Sequence, residues 1–206
     1  MVYRTTPKMA ERKDAHRRKL LAVAIRRFGR QGYHATTVPH IVADSGSSTG
    51  SFYFYFRNKE DIFAAVLESV GEHISDALNE AIAAVRDPFL QMRTAVERLF
   101  LFLAENPDEA QILIVESSGL SPRLHRIRRN IISSHCRSVE RALQGLSGVL
   151  PPMNPDVVAR CWVGAVYESV HHWLETATQK RLPPEKIAQE VARFNLRGIS
   201  AGEEVR

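Results

Sequence analysis

The sequence predicts an all-α protein in two parts, a small N-terminal three-helix unit followed by a larger helical one. Three observations predict it. Apolar residues recur at three- and four-residue steps almost from end to end, and alternating stretches at strand spacing are scarce. Helix starts and stops are written in capping residues, prolines and glycines at intervals suited to helices. Charge divides the chain unequally: residues 1–59 hold 12 Lys/Arg against 3 Asp/Glu, whereas residues 60–206 hold 16 against 20, so the net +5 is concentrated in the first part.

The first helix is expected from about Ala10 to Arg30. Leu20, Leu21, Ala24, Ile25 and Phe28 form one face, and Gly29 and Gly32 mark its end. Thr36 and Thr37 offer an N-cap, and Pro39 suits a first turn in which its missing N–H is not needed. A short second helix then runs from Val38 to about Ser45 and stops at Gly46. Ser47 or Ser48 caps a third, through Tyr55. Asn58 caps a long fourth helix opening with Lys59, Glu60 and Asp61, whose acids favour the helix dipole. Its stripe is Ile62, Phe63, Val66, Leu67, Val70, Ile74, Leu78, Ile82 and Val85.

Asp87-Pro88, Asn106-Pro107 and Ser121-Pro122 open three further helices, the last carrying Leu124, Ile127, Ile131, Cys136, Val139, Leu143 and Leu146. The proline-rich Pro151–Pro155 turn precedes a long helix expected from Val157 to about Thr178. Pro183-Pro184 separates a final helix with Ile187, Val191 and Phe194 from a polar tail, Gly198 to Arg206. The division expected is residues 1–59 and residues 60–206.

The composition excludes several classes. A hydrophobic share of 44% supports a real core. No apolar run approaches the ~18 residues a bilayer span needs, and the polar, basic N-terminus has no apolar segment behind it, so a cytoplasmic protein is expected. Cys136 and Cys161 lack partners at metal spacing and read as reduced thiols. No nucleophile elbow, HExxH or phosphate-cradling glycine loop occurs, so neither an enzyme nor a cofactor is expected. His171 and His172 are adjacent and point about 100° apart on a helix, which prevents joint chelation of one metal. The basic first part suits a polyanion. On charge alone a solvated tail or an anionic membrane surface also fits.

Two short helices joined across Gly46 form a helix-turn-helix pattern. The second must present small hydrogen-bonding groups where it would enter a DNA major groove, and Ser48, Thr49, Gly50 and Ser51 do so. Phe52, Tyr53, Phe54, Tyr55 and Phe56 follow. No helix buries five consecutive side chains on one face, so some must face the core and some the DNA.

The stretch Thr36-Thr37-Val38-Pro39-His40-Ile41-Val42-Ala43-Asp44-Ser45-Gly46, continuing Ser47-Ser48-Thr49-Gly50-Ser51-Phe52-Tyr53-Phe54-Tyr55-Phe56-Arg57-Asn58-Lys59-Glu60, resembles the TetR family of bacterial repressors. Phe28-Gly29-Arg30-Gln31-Gly32-Tyr33 resembles that family's end to its first helix. The resemblance spans roughly Ile25 to Leu67. It implies that Thr37 and Ser48 cap the two short helices and touch phosphate, and that Thr49, Gly50 and Ser51 face the groove. Tyr53, Tyr55 and Lys59 are implied as backbone contacts, with Phe54 against thymine methyls or sugars, and Phe52 and Phe56 in the core. Two positions depart from the family pattern: Thr49 and Pro39 stand where basic or polar residues are common. Charged base readout there is lost, and Arg4, Lys8, Arg12 and Lys13 are candidates to compensate from an N-terminal arm.

The resemblance further implies a helical ligand-binding and dimerisation domain, hence a homodimer on double-stranded operator DNA that a small-molecule effector releases, with no membrane partner. Trp162, Val166, Val170 and Trp173 give their helix more bulk than one core face needs, so it is buried on two sides or lies at a subunit interface. Candidate pocket residues are Phe100, Leu103, Leu113, Glu116, Trp162 and Tyr167, an apolar lining with a few polar groups. Arg123, Arg126, Arg128 and Arg129 form a basic cluster that suits either an anionic ligand head or a solvated face.

Overall fold

The computed structural model describes residues 7–200, with side chains described from residue 11 onward. Among these residues the chain is helical, without strands. The helices are α1 (Pro7–Ala35), α2 (Val38–Ser45), α3 (Thr49–Tyr55), α4 (Lys59–Ile82) and α5 (Pro88–Glu105). There follow α6 (Pro107–Ala110), which runs into a π-helical turn at Gln111–Glu116, then α7 (Pro122–Gly145), α8 (Pro155–Glu175) and α9 (Pro184–Ser200).

The capping residues act as their chemistry dictates. The side chains of Thr37, Ser48, Asn58, Asp87, Ser121 and Asn154 each accept a backbone N–H in the first turn they precede. Gly46 ends α2 at φ 60°, a left-handed geometry that glycine adopts without strain.

Several boundaries differ from the sequence expectation, among them the end of α4 at Ile82, which leaves Val85 outside the helix. Helix α1 starts earlier than Ala10 and continues to Ala35, with a break at Gly32 (φ 80°, ψ 166°). Gly29 does not end it, because the missing Cβ serves packing: a Cβ there would lie 2.6 Å from Asp108 Cα. Arg12 and Lys13 are helical, as a start near Ala10 implies, while Arg4 and the side chain of Lys8 lie outside the described residues. The Asn106-Pro107 helix gives way to a π turn that buries three consecutive residues, Ile112, Leu113 and Ile114, in a segment packed against α1, α4 and α8. Helix α8 stops at Glu175, and Thr178 belongs to a short 3₁₀ turn. The expected tail from Gly198 is helical as far as Ser200, since Ile199 is buried; residues 201–206 lie outside the described residues.

One core runs from Leu20 to Ile199. Helix α4 is its axis, burying Ile62, Phe63, Val66, Leu67, Val70 and Ile74. Phe28 meets Phe63 edge-on at 4.8 Å between centroids, and Tyr33 meets Phe63 at 4.9 Å. Burying each phenylalanine contributes about 2–3 kcal/mol, and the cluster fastens α1 to α4. Gly71 admits Ile131 of α7, whose Cγ1 would be 2.8 Å from any Cβ added there.

Trp162, Val166, Val170 and Trp173 are all buried within the protomer, so of the two readings of that helix the first holds for these residues. Trp173 Nε1 donates to Leu182 O at 2.9 Å. The basic cluster is dispersed as well: Arg123 pairs with Asp61 at 2.9 Å, and Arg128 Nε donates to Leu113 O at 3.4 Å.

Candidate nucleic-acid interface and ligand cavity

Helix α3 is positioned by α1 and α2. Arg27 of α1 grips the Asp44 carboxylate with two donors. Thr36, fully buried, donates to Gly32 O at 2.8 Å and so closes the end of α1. Thr37 accepts His40 N–H at 3.4 Å, and Ser48 accepts Ser51 N–H at 3.1 Å.

The five aromatics divide as their helical angles require. Phe52 and Phe56 are buried, at 0% and 3% exposure, whereas Tyr53 and Phe54 stand out at 54% and 65%. Tyr55 is half-buried and stacks on His16 at 5.7 Å. Thr37, Ser48, Thr49 and Gly50 are exposed, and a Cβ on Gly50 would meet nothing within 4 Å. Burying an aromatic pair on one side forces the neighbouring pair into solvent, a costly arrangement unless something covers them.

Sequence reading named Lys13 as a candidate contact but missed His16 and Arg17, which share its face of α1. Lys13, His16 and Arg17 are spaced one helical turn apart and lie beside α3. Lys13 Nζ sits 5.2 Å from the Phe54 ring centroid, and Arg17 lies over Phe56 at 5.7 Å. His16 Nε2 is 2.8 Å from Ser51 Oγ and 3.1 Å from Ser47 Oγ. Ser51 is thus half-buried and engaged within the protein rather than free at the helix surface. The i, i+3, i+4 pattern of Lys13, His16 and Arg17 was the available signal.

Lys59 is turned inward. Its Nζ donates to Tyr33 O at 2.8 Å and to His34 O at 3.4 Å, and lies 4.3 Å from the Tyr33 ring centroid. Partial burial lowers its pKa. An ammonium has three N–H groups, so one remains for a phosphate. Asp61 lies a turn beyond Arg57. Burial pushes its carboxyl up, but hydrogen bonds from the Arg57 side chain and N–H and from Arg123 outweigh that and hold it at about 2.

A cavity of about 630 Å³ opens between α4, α5, α7 and α8. Leu78, Met92, Val96, Leu99, Val139 and Val166 supply apolar wall, and Ser134, His135, Arg137 and Arg141 a polar side. Of the six residues expected to line a pocket, Trp162 and Tyr167 border this cavity. Phe100, Leu103 and Leu113 do not: they are buried in the core and are not among the residues that line it. Glu116 lies elsewhere, its carboxylate accepting Tyr33 N–H at 2.9 Å. Periodicity identifies buried positions, and it cannot say which packed face leaves a gap.

Within the cavity wall, His135 Nδ1 and Tyr167 Oη are 2.9 Å apart. Burial lowers the His135 pKa to about 4 and raises that of Tyr167. Among the described residues no group of three or more His, Cys, Asp or Glu is arranged to hold a metal, and no helix is long and apolar enough to cross a membrane.

A capped two-helix unit with half of its recognition-helix aromatics turned outward, standing on a larger helical body, is a helix-turn-helix transcription regulator. Residues 20–66 match the model for "Bacterial regulatory proteins, tetR family". The chain is 28% identical over 195 residues to the uncharacterized HTH-type transcriptional regulator YdgC of Bacillus subtilis, covering 92% of this chain and 96% of that one. It is 30% identical over 159 residues to the HTH-type transcriptional repressor NicS of Pseudomonas putida, covering 74% of this chain and 68% of that one. The fold is that of the transcriptional regulator FadR from Bacillus subtilis solved in complex with stearoyl-CoA, with TM-score 0.78 and 18% identity over 91% of this chain and 99% of that one. The chain belongs to the TetR family of bacterial regulatory proteins.

Proposed function

We propose that this regulator is a dimeric repressor that a small molecule with a long apolar chain releases from operator DNA. Residues 1–59 form the DNA-binding part, and residues 60–206 bind the effector and dimerise. Helix α3 carries the DNA-binding reading: Thr49, Gly50, Tyr53 and Phe54 are exposed on it while Phe52 locks it to the core. Thr37, Ser48 and Lys59 supply phosphate contacts, as do Tyr53 and Tyr55. Ser51 acts by holding His16 as much as by facing the groove. Lys13 and Arg17 add positive charge on the same side.

The outward faces of α8 and α9 support the dimer, since Val157 and Phe194 are 54% and 71% exposed there. Two-fold pairing would set two α3 helices on half-sites about one DNA turn, ~34 Å, apart. The apolar-walled cavity supports the effector reading, with Arg137 and Arg141 at its polar side, as does the similar fold of a regulator solved with stearoyl-CoA. Release follows if the effector binds more tightly to a conformation whose recognition helices are wrongly spaced.

The test uses DNA fragments selected from a bacterial genome by repeated binding to the protein. Retained fragments should bind with an affinity falling steeply as salt rises, and stearoyl-CoA should release them. Selection that enriches no sequence overturns the operator reading, and release by no acyl compound overturns the effector reading. Sedimentation should show a dimer; a monomer at the concentrations that bind DNA refutes the pairing.

A further inference from the structure

We infer that His16 of α1 is a positioning residue for base recognition, fixing the roll of α3 through Ser47, Ser51 and Tyr55. The inference rests on the operator reading above and adds the residue that sets how sharply α3 discriminates between sequences.

A helix advances about 100° per residue, so α3 has two unlike halves. Thr49, Gly50, Tyr53 and Phe54 fall on one half and are exposed, while Ser51, Phe52 and Tyr55 fall on the other and are buried or half-buried. With seven residues, α3 cannot hold its own geometry and depends on what it packs against. Phe52 and Phe56, both buried, lie four residues apart and anchor it along a single line. Apolar burial is non-directional, so that line resists withdrawal of α3 better than rotation about it.

His16 supplies the constraint against rotation. Its Nε2 lies 2.8 Å from Ser51 Oγ and 3.1 Å from Ser47 Oγ, and its ring stacks on Tyr55 with centroids 5.7 Å apart and planes 20° from parallel. Ser47, Ser51 and Tyr55 follow one another at four-residue steps, so one imidazole touches the turn before α3, its first turn and its last residue. In either neutral tautomer Nε2 offers one lone pair or one N–H, and a serine hydroxyl can donate or accept to match it. Such bonds are directional, unlike the phenylalanine contacts. They form a second line of attachment, roughly 100° around α3 from the first. Lys13 and Arg17, to either side of His16, lie against Phe54 and Phe56.

Roll matters for reading bases more than for holding DNA. Phosphate contacts carry no sequence code and tolerate small shifts, since charge acts over several ångströms. Base contacts require donors and acceptors placed to within about 0.5 Å. Thr49, Gly50 and Phe54 are carried on the half of α3 whose direction His16 sets. His16 therefore governs selectivity and leaves general DNA affinity to the phosphate contacts.

The test compares a DNA fragment recovered by the selection described above with a scrambled fragment of equal length, using fluorescence anisotropy. His16→Phe keeps a ring for Tyr55 and removes the nitrogen. It should weaken binding to the selected fragment about tenfold, the weight of one misread base pair. The scrambled fragment, the salt slope and the thermal midpoint should be nearly unchanged. His16→Gln, whose terminal amide can stand where Nε2 stands, should recover most of the selectivity. Because His16 acts through Ser51, the effects of His16→Phe and Ser51→Ala should not add, and the double variant should bind the selected fragment no more weakly than the worse single one. Equal loss on both fragments with a smaller salt slope makes His16 a phosphate contact and overturns the inference. A loss that tracks a lowered midpoint overturns it too, as does selectivity unchanged in His16→Phe. In those cases the operator reading stands. Failure of the unmodified protein to enrich any sequence overturns both.

Discussion

Glu116 in the π turn accepts the backbone N–H of Tyr33 at 2.9 Å, joining the larger helical body to the C-terminal end of α1. A Cβ at Gly32 would approach the same carboxylate at 3.0 Å, and Lys59 holds the carbonyls of Tyr33 and His34 from the other side. The turn after Gly32 is thereby clamped at its N–H and at its carbonyls by two charged side chains from different helices. A charge-assisted hydrogen bond of this kind contributes about 1.5–3 kcal/mol. Glu116→Ala should lower the thermal midpoint by several degrees, at about 2–4 °C per kcal/mol for a chain of this size. Glu116→Gln, which keeps an acceptor, should recover most of the loss. Calorimetric melting checks this, and equal midpoints for all three proteins would remove the clamp from consideration.

Glycine substitutions should separate packing from DNA contact. Gly29→Ala places a Cβ 2.6 Å from backbone atoms of Asp108, which cannot yield as a side-chain end can, so a loss of about 1–3 kcal/mol is expected. Gly50→Ala meets nothing within 4 Å and should leave stability unchanged or slightly raised. If α3 enters the groove, the same alanine should weaken DNA binding several-fold. Denaturant unfolding and fluorescence anisotropy on one preparation give both quantities.

The exposed aromatics of α3 offer a test of role. Tyr53→Phe and Phe54→Ala should each change stability by no more than about 0.5 kcal/mol, since both side chains are largely in solvent. Tyr53→Phe should weaken binding to all DNA sequences alike, because phosphate contacts carry no base code. Phe54→Ala should weaken selected sites more than random DNA. A change of preferred sequence from Tyr53→Phe, with affinity intact, would reverse these assignments.

Acid should destabilise the fold in two separate windows. The His135 pKa is depressed to about 4 by burial. As pH falls from about 6.5 towards 4 the unfolded chain takes up a proton that the folded chain refuses, costing roughly 3 kcal/mol by the bottom of that window. Asp61 is depressed to about 2, so its contribution is present above its ordinary value and is lost as pH falls from about 3.8 towards 2. In His135→Leu, stability should be flatter between pH 6.5 and 4. Asp61→Asn should act on the lower window alone. Urea midpoints across the range check both signs.

Cooperation between α1 and α3 was only partly legible beforehand. The caps at Thr37 and Ser48, the stop at Gly46 and the burial of Phe52 and Phe56 depend on near neighbours in the chain, and the sequence displays them. The contact of His16 with Ser51 spans 35 residues, and nothing local to either residue announces it. The cavity is a stronger case. Trp162 and Tyr167 were recognisable as bulky and amphipathic, but Phe100, Leu103 and Leu113 show the same pattern and are closed core.

Local chemistry thus determined the helical class, the order of the helices and the two-helix DNA-reading unit. Helix periodicity and capping operate over three or four residues, within reach of sequence reading. Tertiary structure decided where α1 and α8 end, why Gly29 lies inside a helix, that Lys59 turns inward, and which four helices enclose space. Those outcomes are set by close packing between segments far apart in the chain, where a contact of a few ångströms selects among arrangements that local pattern leaves equivalent.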